Sequence, residues 1–222
     1  MLTVPNVLKE FAQLLGTEVK NHRLEIPEKF GRGYCAGFVF NENIRMLIFN
    51  YELNEDLIIS NPYDDKPDSR LLFKFQNIFP ITKDLPMEKD LQLMPSVLIA
   101  TMHMSMAEIP VHTNTATINI EVDAHYLNGL FDLTEKSLVL QSLLQNNQPL
   151  LFEQIIYPSL HQIAAQMVSE PIEEIFQLFF LRVKAEELIC RLLMELARRN
   201  EKHIYDLNPQ DIQILYKVKV QC

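Results

Sequence analysis

The spacing of apolar residues changes once along this chain, near Val122, and that change limits the fold more than any other feature. Before it, five runs are short, rich in β-branched and aromatic residues, and bounded by Asn, Asp, Pro or Gly. They are "GYCAGFVF" from Gly33, "IRMLIFNYEL" from Ile44, "LLFKFQNIF" from Leu71, "SVLIATMHM" from Ser96 and "TATINIEV" from Thr115. Such runs read as strands. Ala116, Ile118, Ile120 and Val122 share one face of the last run, and Leu72, Lys74 and Gln76 oppose Phe73 and Phe75. This is the period of two that a pleated strand imposes. After Val122 the apolar residues recur at three and four, the helical period. Strands first and helices after predict an α+β chain whose strand half is a sandwich or barrel.

The helical half carries its own punctuation. "DAHYLNGLF" predicts one or two turns closed by Gly129, and "TEKSLVLQSLLQN" opens on Thr134 as a cap. "YPSLHQIAAQMV" places Pro158 in a first turn, where its missing N–H costs nothing. The longest helix follows "SEPIEE", with Ser169 as expected N-cap, Pro171 in the first turn, and Glu170, Glu173 and Glu174 at the positive end of the dipole. Arg198 and Arg199 suit its other end. A last helix is expected from Asn208, with Pro209 at its first position. No Gly, Asn or Pro stops it after Lys219, an ending shared by a truncated chain and a natural terminus.

The longest helix is apolar on two sides. At about 100° per residue, Leu178, Leu181, Ala185, Leu188, Leu192 and Leu196 form one stripe, an ordinary core face. Ile172, Phe176, Phe179, Val183, Cys190 and Met194 form a second, and only a narrow seam through Gln177, Lys184, Arg191 and Arg198 is polar throughout. Two faces need two partners: neighbouring helices of the same chain, or a helix of another subunit. The second stripe predicts a homodimer interface that includes Phe176, Phe179, Val183 and Met194.

Motifs for catalysis are absent: there is no G-x-S-x-G, H-E-x-x-H, P-loop, G-x-G-x-x-G or EF-hand pattern. In "GRGYCAG" the glycines Gly31, Gly33 and Gly37 have the wrong spacing for a dinucleotide turn and read as close backbone packing or a bulge. His103 and His112 flank Glu108, but a metal-dependent cupin needs a closer His pair and a later His, so no metal and no cofactor are expected. A barrel without chemistry can still enclose a small ligand, and Arg32, Tyr34, Arg45 and His103 are the expected pocket residues. Solvent-facing arginines are the plain alternative. The formal net charge of −9 opposes direct grip on nucleic acid, since phosphate contacts need a surplus of Lys and Arg. Three widely spaced cysteines fit neither a disulfide framework nor a zinc site and point to a reducing cytoplasm. No run approaches the ~20 apolar residues of a membrane span.

One segment carries a resemblance. "FFLRVKAEEL" fits the form Y/F-L-x-x-K-A-x-E-L through Phe180, Leu181, Lys184, Ala185, Glu187 and Leu188, and "LNPQDIQILYKVK" follows from Leu207. Together with the order of parts, these residues resemble the amino-terminal region of AraC-family transcription regulators, in the branch similar to siderophore-responsive activators. The resemblance implies a cupin-like, jelly-roll β-barrel sensor over residues 1–128 and a helical dimerisation and linker region over residues 129–222. It also implies an unidentified small-molecule effector, a homodimer, no enzymatic activity, and DNA contact only through a C-terminal helix-turn-helix domain missing here. A cupin-like metal-dependent enzyme and a stand-alone interaction module are the alternatives.

Overall fold

The computed structural model describes residues 4–60, 69–79, 95–101, 108–111, 114–131, 138–145 and 151–198. Seven strands form one antiparallel sheet: β1 (Arg23–Glu25), β2 (Gly31–Val39), β3 (Ile44–Leu53), β5 (Arg70–Gln76), β6 (Ser96–Thr101), β8 (Asn114–Asp123) and β9 (Leu151–Ile155). Their order is β1-β2-β3-β8-β5-β6-β9, while β4 (Leu57–Ser60) and β7 (Glu108–Val111) pair as a separate two-stranded ribbon. The five helices among the described residues are α1 (Asn6–Leu15), α2 (Ala124–Gly129), α3 (Leu138–Gln145), α4 (Pro158–Ser169) and α5 (Glu174–Arg198). The class is α+β with a large antiparallel sheet. No described helix is long and apolar enough to cross a membrane.

Local chemistry explains the connections. In the polar turn between β2 and β3, the Asn41 side-chain oxygen accepts from the N–H groups of Asn43 and Ile44 at 2.8 and 2.9 Å, and so reverses the chain. Gly33 sits at φ 101°, and a Cβ there would lie 2.2 Å from the Asn50 carbonyl oxygen on the neighbouring strand. A Cβ at Gly37 would lie 2.9 Å from Pro5, where the start of α1 crosses the sheet. Gly33 therefore allows two backbones to approach closely, and Gly37 makes room for the side chains of Pro5, Leu8 and Leu47.

Two apolar layers use the two sheet faces. On the first face, Phe38, Met46, Ile48, Phe73, Phe75, Ile99, Ile118 and Ile120 pack with Leu143, Leu160, Ala164, Leu181, Leu188 and Leu192 of the helices. On the second face, Leu24, Cys35, Leu47 and Tyr51 lie with Leu8, Phe11 and Leu15 of α1. The first of these clusters takes side chains from both sides of the expected boundary at 128/129. Strand and helix side chains share one cluster, and β9, from the half expected to be helical, pairs with β6 at the sheet edge.

The structure corrects the expected start of α5. Ser169 does not cap it: its hydroxyl donates to the Ala165 carbonyl at 2.9 Å and closes α4, and α5 begins only at Glu174. A serine hydroxyl readily bonds back to the carbonyl one turn before it, and Pro171 cannot continue α4 because it lacks an N–H. The helix expected from Asn208 lies outside the described residues.

The cap of α2 leads to a measurable result. Asp123 accepts from the Tyr126 N–H at 2.8 Å and from the Ser69 hydroxyl. Burial opposes its charge, but these donors outweigh burial and hold the carboxyl below the usual carboxylate range. Asp123→Ala should therefore lower stability by about 1–2 kcal/mol at neutral pH. The folded-state pKa is the depressed one, so this contribution is complete above the unfolded value of ~3.9 and fades as pH falls through the folded value. Urea midpoints of the two proteins should converge in acid. A gap that stays constant down to ~pH 2 would show that the carboxylate charge plays no part.

Candidate functional site

The sheet's period of two decides which side chains can meet. The register aligns Arg45 with Glu121 and Leu72, Leu47 with Asn119 and Lys74, and Phe49 with Thr117 and Gln76, all on the second face. Towards α1 that face is apolar. Across β8 and β5 it turns polar, yet it stays covered: Arg45, Lys74, Ser96, Thr117 and Glu121 are all buried.

Each of these groups needs compensation, because a buried polar atom without a partner loses its hydration. The Arg45 guanidinium donates to the Glu121 carboxylate in an ion pair whose side chains are only 10% and 9% exposed. The Ser96 hydroxyl donates to the Gln76 amide oxygen at a long 3.5 Å. Thr117 Oγ1 and Asn119 Oδ1 are buried with no hydrogen-bond partner among the described residues. Convergent polar groups with spare hydrogen-bonding capacity, set between apolar neighbours such as Leu47 and Leu98, are what a small polar molecule needs for orientation. Among the described residues no three His, Cys, Asp or Glu side chains are placed to hold a metal ion.

The expected pocket residues do not form one group. Arg32 and Tyr34 lie on the first face, paired in register with Glu52 and Asn50, whereas Arg45 pairs with Val39 and belongs to the second. Arg32 makes an ion pair with Glu52 at 2.6 Å with its side chain 66% exposed, the solvent-facing arginine of the plain alternative. Tyr34 lies under the Arg23 guanidinium, 3.5 Å from ring centroid to carbon, and burial pushes its phenol up despite that cation. Thus Arg45 lies with the buried polar groups of the second face, and Arg32 and Tyr34 lie on the other face by parity. His103 and His112 lie outside the described residues. Glu108 opens β7.

Sequence reasoning missed Lys74, Thr117, Asn119 and Glu121. The signal was present, since all four stand opposite the apolar residues of their strands. Such positions ordinarily face water, and only the folded chain shows these to be covered.

The second candidate surface lies on α5. Leu181, Ala185, Leu188, Ile189, Leu192, Leu193 and Leu196 are buried against the sheet and neighbouring helices. On the far side Phe179 is 72% exposed, with Ile175, Phe176, Val183 and Met194 also exposed. Cys190 is exposed in the same stripe. All four expected interface residues therefore stand uncovered by the described part of their own chain. The two glutamates that interrupt the stripe are held in-chain: Glu186 by Arg182 at 2.9 Å, and Glu187 by Arg191 and Lys184 at 2.8 and 3.4 Å.

No family model, no curated protein and no solved structure matches this chain.

Proposed function

We propose that this chain is the effector-sensing and dimerisation region of an AraC-type transcription regulator. On this reading a small molecule occupies the polar second face of the sheet, and the outer stripe of α5 holds a second copy. DNA is read by a C-terminal helix-turn-helix domain outside these 222 residues. The reading expects the sheet and ribbon to be the walls of a cupin-like barrel. It is a binding function with no enzymatic step, and it places the protein in the cytoplasm. An effector would act through unequal affinity for two arrangements of the pair.

One observation carries the proposal: α5 buries one apolar face in its own core and presents a second, led by Phe176 and Phe179, to the outside. Aromatic residues aligned on one helix face are what a subunit interface uses, and isolated exposed apolar residues would not line up at helical spacing. The buried polar set around Asn119 and Thr117 supports the sensing half.

Sedimentation at micromolar concentration tests it. The wild-type chain should be a dimer, and Phe179→Glu combined with Val183→Glu should be a folded monomer whose melting temperature, unlike that of the wild type, does not depend on protein concentration, because both side chains are outside the core. A wild-type monomer overturns the proposal. Stoichiometric metal in purified protein would instead favour a cupin-like enzyme using His103, Glu108 and His112.

A further inference from the structure

The turn that leads into β1 holds its backbone where few side chains settle. Lys20 and Arg23 exchange backbone hydrogen bonds of 2.7 and 2.8 Å, and the two residues between them, Asn21 and His22, sit at φ 47° and 64°. Positive φ at both central positions of a two-residue turn suits Asn followed by Gly, because glycine has no Cβ to strain. Histidine stands where glycine would cost nothing. The His22 ring lies on Phe38, 5.2 Å between centroids, and its Nδ1 is buried with no hydrogen-bond partner among the described residues. A residue that combines backbone strain with an unmet polar atom marks a place of use.

This turn and α1 line a groove of about 520 Å³, within the ~300–1,000 Å³ usual for small-molecule sites. Val4, Ala12 and Val19 give the groove its apolar lining, and Lys9, Gln13, Asn21 and His22 bring polar groups to it. Lys9 makes no ion pair among the described residues. Glu18, the carboxylate that also lines the groove, lies 4.0 Å from the Lys20 ammonium. The Lys9 charge is therefore available to an anion from outside.

We propose that this groove binds an organic acid, its carboxylate held by Lys9 and His22 with Gln13 and Asn21 beside them, and its compact apolar body resting on Val4, Ala12 and Val19. The site goes beyond the function proposed above: it lies beside β1, the outermost strand of the sheet, and does not depend on whether the chain dimerises. A carboxylate suits the set because all four polar side chains can donate to it: an ammonium, two amides, and an imidazole with a proton on Nδ1. The apolar lining adds recognition that a bare inorganic anion cannot use. A metal ion is a poor fit, since an ammonium and two amides make a weak ligand set.

Equilibrium dialysis of the whole chain against radiolabelled benzoate provides the test, with the site located by methyl resonances. Benzoate should bind saturably, one per chain, and move the Val4, Ala12 and Val19 methyl signals. Benzyl alcohol lacks the charge and inorganic phosphate lacks the apolar body, so each should compete about tenfold less well or worse. Lys9→Met and His22→Gly should each weaken benzoate binding about tenfold, the worth of one charge-assisted hydrogen bond. His22→Gly separates binding from folding, because glycine takes that φ without strain and the circular dichroism should stay that of the wild type. Absence of saturable benzoate binding overturns the proposal. Binding that leaves the three methyl signals in place, or that survives both substitutions, overturns it as well. Phosphate competing as strongly as benzoate would reduce the groove to a bare anion site and overturn the organic-acid assignment.

Discussion

Glu121→Leu should lower the free energy of unfolding by about 3–5 kcal/mol, among the largest effects of any single substitution on the sheet's second face. The change removes the carboxylate opposite the Arg45 guanidinium at a site where that side chain is 10% exposed. Taking a cation out of water without its counter-charge is the expensive half of the exchange, and the attraction within the intact pair roughly offsets the cost of burying both ions. The double variant Arg45→Met with Glu121→Leu should accordingly recover most of the loss. Guanidinium midpoints of the wild type, the two single variants and the double variant form the required cycle. A Glu121→Leu loss below ~1 kcal/mol would mean that water reaches the pair and that this face is not a closed polar site.

Leu188→Ala should cost about 2–5 kcal/mol, because the removed atoms leave a cavity between α5 and the sheet that the surroundings fill only in part. Leu188 is fully buried in the cluster that also holds Phe73 and Ile120 of the strands. Destabilisation from the helix side should therefore reach the strands. Helical circular dichroism and tyrosine fluorescence should fall in one coincident transition, shifted to lower denaturant. At concentrations where the chain is monomeric, Phe179→Ala, on the exposed side of the same helix, should change stability by no more than ~0.5 kcal/mol. Two separate transitions would show that the strand and helix halves fold as independent units.

The strands were legible where alternation was strong. β3 matches its predicted run at both ends, and β2, β5, β6 and β8 fall within a few residues of theirs, because polar turns such as the one at Asn41 mark the ends. β9 was not legible. "LFEQI" is short, sits in helical surroundings, and owes its extended form to β6 alongside it. The dual character of α5 was readable residue by residue from 3.6-fold spacing, including the four side chains that stand exposed. Of the polar groups on the sheet's second face, sequence reasoning singled out only Arg45. Arg32 and Tyr34 lie close to it in sequence but on the opposite face, a matter of the register between β2 and β3.

Residue order alone settles what depends on near neighbours: the period of each segment, the turns, the glycines at crowded positions, and which side chains of a strand or helix point the same way. Folding decides what lies over each of those faces. Lys74, Thr117 and Asn119 stand opposite the apolar side of their strands, and Phe179 stands among leucines, so local pattern predicts a wet face for the first group and a dry one for the second. The structure buries Lys74 and Thr117 and exposes Phe179, because burial is set by segments distant in sequence, and no local period encodes them.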